Sequence, residues 1–340
     1  MYRTVIGTGG IGTGIFFRLR ENRALGRNES RGAELTNAKD YCKQHIVLYY
    51  VSMLLSPGVQ VIPVGKVGAD ETGARMKRLM ERAGMNIEYV DTSLDAPTMV
   101  SICLQYPDKC GCNVTADNSA CSEVTSEYIL HCAHQLDIDR HTMVVALPEV
   151  PLEARVTLLR YGKERHAFTT ASLTVSEAEA FIKMDGLKYC DLLALNEEET
   201  AAVAGVQAIR SVEDGLTAAR RLVRRYPWLK LWITLGKLGS MTADRDGIRV
   251  YPALSGVDVI NTGGAGDASL GGVIAGLCMG LPFHGTMENG FKSGDLCDSA
   301  AALGVLLGGL SVESADSINE SINWPFIHRL LSFNYERMGR

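Results

Sequence analysis

The stretch Asn261-Thr262-Gly263-Gly264-Ala265-Gly266-Asp267 runs a glycine-dense turn directly into Ala268 to Met279, an apolar segment compatible with a helix. Such a turn places unpaired backbone N–H groups at a helix N-terminus, where those donors and the helix dipole favour an anion. Asp267 is then electrostatically out of place, because a carboxylate repels an anion beside it. Its presence makes chemical sense if it accepts a proton from an incoming hydroxyl. Together these features outline phosphoryl transfer to an alcohol. Taken alone, the same residues also fit an ordinary strand-to-helix turn with Asp267 stabilised by the dipole in the first turn.

Composition narrows the setting. A chain of 340 residues, 46% hydrophobic and 21% charged, can bury a large core as one sizeable domain. The formal net charge of −5 argues against nucleic acid as the main partner, since binding a phosphate backbone draws on clustered Lys and Arg. No apolar run approaches the roughly 18–20 residues that cross a bilayer, and the N-terminus lacks a signal-type apolar region, so a soluble cytoplasmic protein without a membrane partner is expected. The nine cysteines are odd in number and scattered, which favours reduced thiols. Cys110-Gly111-Cys112 does not have a zinc spacing, and His131 and His134 lack nearby ligands at matching spacing, so both read as ordinary positions.

Along the chain, strands alternate with helices. Thr4 to Ile6, Val59 to Val64, Ile87 to Val90, Met99 to Gln105, Asn113 to Ala116, Met143 to Leu147, Ala167 to Thr170, Leu192 to Leu195 and Leu231 to Leu235 read as strands. Glu71 to Ala83, Ser176 to Asp185, Glu197 to Ala204 and Val212 to Tyr226 read as helices. This is the pattern of a parallel sheet covered by helices, with the closely spaced early strands forming a small lid sheet over its carboxyl ends. The region from Ser311 to Arg340 reads as a C-terminal helix and a loose tail. Gly7-Thr8-Gly9-Gly10-Ile11-Gly12 fits a dinucleotide-binding G-x-G-x-x-G literally, but no second strand ending in an acidic residue follows at the required distance.

The 261–268 stretch resembles the C-terminal signature of the PfkB/ribokinase carbohydrate kinase family, usually Asp-Thr-x-Gly-Ala-Gly-Asp. Gly65-Lys66-Val67-Gly68-Ala69-Asp70-Glu71-Thr72-Gly73 resembles the family's segment after its early strand. Asn196-Glu197-Glu198-Glu199 resembles its Asn-x-x-Glu motif, and Thr234-Leu235-Gly236-Lys237-Leu238-Gly239 its nucleotide-side turn. The resemblance implies a ribokinase-like α/β fold, one kinase domain over 1–330 with a β lid from about 12–40 and 95–125, and a tail over 331–340. It implies ATP and Mg²⁺, with Asp267 as general base and the backbone N–H groups of Gly264, Ala265 and Gly266 as an anion hole. Asn196 and Glu199 would act near the phosphates, Glu199 through waters of Mg²⁺, which prefers hard oxygen ligands. Thr234, Gly236 and Gly239 would line the nucleotide.

Departures lie on the acceptor side. Where family members carry an acidic residue after the first strand, this chain reads Gly9-Gly10-Ile11-Gly12-Thr13-Gly14, and Arg31 to Asn37 is at best a remnant of the family's Gly-Gly-x-x-x-Asn element. Asn261 stands where the family has Asp. Gly12, Thr13, Thr98 and Asn113 are the candidate acceptor contacts. The expectation is a kinase acting on a small sugar or polyol. A nucleoside kinase and a catalytically silent nucleotide- or sugar-binding sensor are the alternatives. Exposed lid edges suggest a homodimer.

Overall fold

Runs of four or five β-branched and apolar residues recur between helices, and a sheet covered on both faces is the arrangement that buries such runs completely. The computed structural model describes residues 2–108, 111–285 and 297–327. Its strands are β1 (Thr4–Thr8), β2 (Gly12–Arg18), β3 (Glu34–Leu35), β4 (Asp40–Tyr41), β5 (Gln60–Gly68), β6 (Val90–Ser93) and β7 (Met99–Gln105). They continue as β8 (Gly111–Thr115), β9 (Thr142–Ala146), β10 (Phe168–Ser172), β11 (Leu192–Leu195), β12 (Lys230–Thr234), β13 (Ser240–Asp244) and β14 (Gly247–Tyr251). The helices are α1 (Lys43–Leu55), α2 (Glu71–Arg82), α3 (Ser126–Gln135), α4 (Leu152–Glu164), α5 (Ala178–Lys183), α6 (Glu197–Ala204), α7 (Val212–Arg225), α8 (Ala265–Cys278) and α9 (Ala300–Ser311).

Nine strands form the main sheet in the order β14-β13-β12-β11-β10-β9-β1-β5-β6. Pairing is parallel from β12 to β6 and antiparallel at the β12-β13-β14 end. Alternate residues feed two cores: Val5, Met143, Val145 and Trp232 pack with α1, α8 and α9, whereas Ile6, Val144, Leu231 and Ile233 pack with α3, α4 and α7. The central strands β1, β9, β11 and β12 are therefore apolar on both faces. The expected parallel α/β architecture is present.

Several boundaries differ from the sequence reading for identifiable reasons. β5 runs through Gly68 because Gly65–Gly68 pairs with Val90–Ser93, which also moves the strand expected at Ile87 to Val90. The stretch from Ser176 to Asp185 divides into a short 3₁₀ turn at Val175–Glu177 and α5, with a capping box between Thr174 and Glu177. Helix α8 starts at Ala265, so Asp267 is its third residue rather than a residue before it. Helix α1 has no polar face to give a 3.6-residue period: Ile46, Val47, Leu48, Tyr50, Val51 and Leu54 are all buried.

Gly12 begins strand β2 rather than a helix, so the literal G-x-G-x-x-G is not a dinucleotide turn. These glycines make room instead. A Cβ on Gly9 would lie 2.9 Å from Leu147 Cβ, one on Gly10 2.5 Å from Glu149 Cβ, and one on Gly12 2.2 Å from the Met99 carbonyl oxygen.

A second sheet, ordered β3-β2-β7-β8 with β4 paired to β2, leaves the carboxyl end of β1. Ile15, Ile102 and Val114 stand in one cross-strand row and are 44%, 47% and 73% exposed. Gly14, Ser101, Cys103, Asn113 and Thr115 alternate onto the other face. None of the eight described cysteines is in a disulfide; Cys110 and the 331–340 tail lie outside the described residues. No helix among the described residues is long and apolar enough to cross a membrane.

Candidate active site

A cavity of about 720 Å³ opens at the carboxyl ends of β10, β11 and β12, against the start of α8. Gly264 caps α8 in the left-handed conformation at φ 80°, and a Cβ there would lie 2.5 Å from the Ser317 carbonyl oxygen. A residue with a side chain fits neither the backbone angle nor the space. The first residues of the helix, Ala265, Gly266 and Asp267, line the cavity. Among the described residues, the backbone N–H groups of Gly264, Gly266 and Asp267 meet no protein acceptor, while that of Ala265 turns back to Thr262 O at 3.3 Å. Of the anion-hole candidates Gly264, Ala265 and Gly266, the first and last thus have N–H groups without a protein acceptor, as has Asp267.

Asn261 explains its own departure from the expected aspartate. Its Oδ1 accepts from the Gly263 N–H at 2.9 Å, and its Nδ2 donates to the Ala315 carbonyl at 2.8 Å. A carboxylate makes the first bond but has no proton for the second. The amide ties the glycine turn to the chain after α9.

Carboxylates gather beside this turn. Burial raises Asp267 above the usual aspartate range, opposed by Lys43 and reinforced by Asp40. Glu149, just after β9, is pushed up to about 7, chiefly by burial; the Lys43 ammonium pulls it down, Asp267 pushes it up, and the Lys43 backbone N–H again lowers it. Its backbone is left-handed at φ 77°, an uncommon conformation for a residue with a side chain, and its buried Oε2 has no hydrogen-bond partner. Glu199 holds a divided position. One oxygen accepts from the Asn196 N–H at 2.9 Å in a capping box, and the other pairs with Lys43 Nζ at 3.6 Å.

The nucleotide-side candidates come together. Asn196, Glu199, Thr234, Gly236 and Gly239 all line the same cavity as Ala265, Gly266 and Asp267. Asn196 caps α6, its Oδ1 accepting from Glu199 N at 2.8 Å. Gly239 has φ 99°, and a Cβ there would lie 2.1 Å from the Tyr251 carbonyl oxygen, so only glycine closes this turn against β14. Leu254, Val257, Val305 and Val312 give one part of the cavity an apolar wall.

The acceptor-side candidates are less coherent. Gly12 and Thr13 alternate to opposite faces of β2, and Thr13 Oγ1 donates to the Asp40 carbonyl at 3.1 Å. Thr98 is buried with its hydroxyl donating to Asp70 Oδ1 at 2.7 Å and accepting from Gly68 N at 2.9 Å. Asn113 is exposed opposite Cys103. Three groups at this end were invisible to sequence reasoning. Asp40 lies over Gly14, where a Cβ would come within 2.2 Å of its Oδ2, and it accepts from Cys103 Sγ at 3.1 Å; the others are Glu149 and Lys43. The departures from the family pattern at 9–14 were the available signal, because glycines at those positions imply close neighbours.

Glu149 also supplies a pH test. Its folded pKa is raised from 4.5 to about 7, so folding favours the protonated form; that stability is fully present below pH 4.5 and lost as pH rises through about 7. Glu149→Gln is expected to match the parent at pH 4 and to exceed it by about 2–3 kcal/mol at pH 8, allowing for residual solvent contact. Denaturant unfolding at both pH values measures this, and a pH-independent difference would contradict it.

Residues 51–321 match the family model described as pfkB family carbohydrate kinase. A Klebsiella pneumoniae fructokinase is 35% identical over 103 residues, 30% of this chain and 30% of its own length. A bifunctional ribokinase/ribose-5-phosphate isomerase A from Fructilactobacillus sanfranciscensis is 27% identical over 231 residues, 65% of this chain and 39% of its own. The chain therefore spans well under half of either curated relative. In fold it is similar to a ribokinase from Giardia lamblia, with a TM-score of 0.77 and 15% identity over 97% of this chain and 99% of that one. With the matched region covering most of its length, the chain belongs to the PfkB family of carbohydrate kinases.

Proposed function

We propose that this chain transfers the γ-phosphoryl group of ATP to a hydroxyl of a small carbohydrate or polyol. The observation that carries this reading is the carboxylate of Asp267 in one helical turn with the unpartnered N–H groups of Gly264 and Gly266, with Gly266 and Asp267 on the wall of a single cavity. Asp267 takes the proton of the acceptor hydroxyl as its oxygen bonds to the γ-phosphorus. The bond between that phosphorus and the β–γ bridging oxygen breaks, and ADP leaves with the bonding pair. The fixed N–H donors favour the negative charge on the phosphoryl oxygens without having to reorganise. The apolar wall at Leu254, Val257 and Val312 suits an adenine ring. The unpartnered Oε2 of Glu149 suits an acceptor hydroxyl as donor.

The donor set fits Mg²⁺ held through water. The described residues contain no cluster of three or more metal-ligating side chains, but Glu199 presents one carboxylate oxygen at the cavity. Mg²⁺ commonly binds with one or two carboxylates, substrate phosphates and retained waters. When bound, it supplies positive charge to the phosphates, and Glu199 orients its waters.

Release of ADP, measured across panels of sugars, polyols and nucleosides, tests the reading. Acceptor-dependent turnover with a sugar or polyol is expected. Turnover confined to nucleosides would move the acceptor class, and saturable ligand binding with no turnover on any acceptor would replace the enzyme with a sensor.

A further inference from the structure

Two buried hydroxyls on strand β10, those of Thr170 and Ser172, have no hydrogen-bond partner among the described residues. The two residues pair with Leu192 and Ala194, so both side chains leave the face of the sheet that packs with α1, α8 and α9. Their surroundings differ. Thr170 is fully buried and does not line the cavity, whereas Ser172, 6% exposed, lines it together with Lys43, Asn196, Glu199 and Asp267. Strand β10 lies between β9, which Glu149 follows, and β11, which Asn196 follows. Ser172 therefore stands between the acceptor-side carboxylate and the nucleotide-side helix. A buried hydroxyl without a partner costs about 1–3 kcal/mol, and native structures keep few of them. Here a ligand in the cavity can supply the missing partner.

Arg155 holds this end of β10 from the other face of the sheet. It belongs to α4, whose apolar residues pack in the second core, and its side chain is fully buried. Its Nη2 donates to the Ser172 carbonyl and its Nη1 to Glu177 Oε1, each at 2.6 Å. Glu177 Oε2 accepts from the Thr174 N–H at 2.8 Å in the capping box of the Val175–Glu177 turn. One guanidinium thus fixes the last carbonyl of β10 and, through Glu177, the turn that follows. Replacing such a buried ion pair by apolar side chains is often neutral or stabilising, and the Nε of Arg155 is itself buried without a partner. Stability is a poor account of a charge here. A fixed backbone at Ser172 is a better one.

We propose that Ser172 is a catalytic residue of the transfer, its hydroxyl donating to an oxygen of the migrating phosphoryl group, and that Arg155 is the positioning residue that holds it in place. This rests on the kinase reading above. With the Ser172 carbonyl held, one turn about the Cα–Cβ bond between staggered rotamers carries Oγ from its buried position to a ligand. The hydroxyl then adds a donor on the sheet side of the cavity, while the N–H groups of α8 act from the helix side, where charge spreads over the phosphoryl oxygens.

Ser172→Ala, Arg155→Met, their double variant and Thr170→Val are compared with the parent in the full-length enzyme. Ser172→Ala is expected to lower kcat about 10–100-fold, the range for losing one hydrogen bond to a charged group, with KM for ATP changed by less than about threefold. Its affinity for ADP with aluminium fluoride, a mimic of the migrating phosphoryl group, should fall by a similar factor while affinity for ADP alone is retained. Arg155→Met should lower kcat about 10-fold, and should cost nothing further in the Ser172→Ala background, because it acts through that hydroxyl. Arg155→Lys, which can still donate to the Ser172 carbonyl, should recover part of the loss, and it carries the comparison if Arg155→Met does not fold. Thr170→Val removes an equally buried, equally unpartnered hydroxyl outside the cavity and should keep parental kcat. Parental kcat in Ser172→Ala overturns the proposal, as does an equal weakening of ADP and its fluoride complex. Additive losses in the double variant overturn the positioning role of Arg155. A loss in Thr170→Val as large as that in Ser172→Ala overturns the assignment too, since β10 would then be responding to any change beneath it. If the parent itself transfers no phosphoryl group, the kinase reading fails, and the fluoride comparison still decides whether Ser172 meets such a group.

Discussion

Asp267→Asn is expected to lower kcat by about 10²–10⁴, the range for losing a general base, while nucleotide affinity changes far less. Asparagine has nearly the same shape, so the loss isolates the proton acceptor. The fold is not at risk from this change. Burial raises the carboxyl above the ordinary aspartate range, so its ionised form costs stability at neutral pH, and the neutral amide removes that cost. The variant should therefore unfold at equal or higher denaturant concentration than the parent at pH 7. The same shift sets a sign for activity: the base works ionised, so turnover falls as pH drops through a pKa above the ordinary aspartate value. Parental turnover in Asp267→Asn would remove the assigned role.

Gly264→Ala is expected to reduce kcat by about 10²–10³, comparable to losing one donor of an anion hole. The added Cβ meets Ser317 O at 2.5 Å and Ile46 Cδ1 at 3.2 Å, and φ 80° is itself unfavourable for alanine. The turn has to move, taking the Gly264 and Gly266 N–H groups with it, and stability should fall by about 1–3 kcal/mol. Gly280→Ala separates the two effects. Gly280 follows the C-terminal end of α8 at φ 83°, and a Cβ there meets nothing within 4 Å. It should cost about 1 kcal/mol through backbone strain and leave kcat unchanged. Equal kcat losses in the two variants would show that the site responds to general destabilisation of α8 rather than to the position of the turn.

Elements with a local signal were legible in the chain. Strands Met99–Gln105 and Leu192–Leu195 and helix Glu197–Ala204 lie where the residues place them, because alternation, an apolar run and an Asn196 cap each act within a few positions. Helix α1 was not, since burial on every side erases the period that marks a helix. The strand before Ser93 was misplaced for a related reason: its register is set by pairing with Gly65–Gly68 rather than by its own residues.

The site divides in the same way. Asn261 to Asp267 carries a side-chain amide, a glycine turn and a carboxylate within seven consecutive residues, so the sequence alone pointed to the family and to the chemistry proposed above. Lys43, Glu149 and Asp40 carry no motif. They face Asp267 only because β1, β9 and α8 bring the start of α1, the turn after β9 and strand β4 to one end of the parallel sheet. Charge acts through space, and which charges are neighbours, which stay desolvated and which oxygen is left unpaired were decided by the tertiary structure.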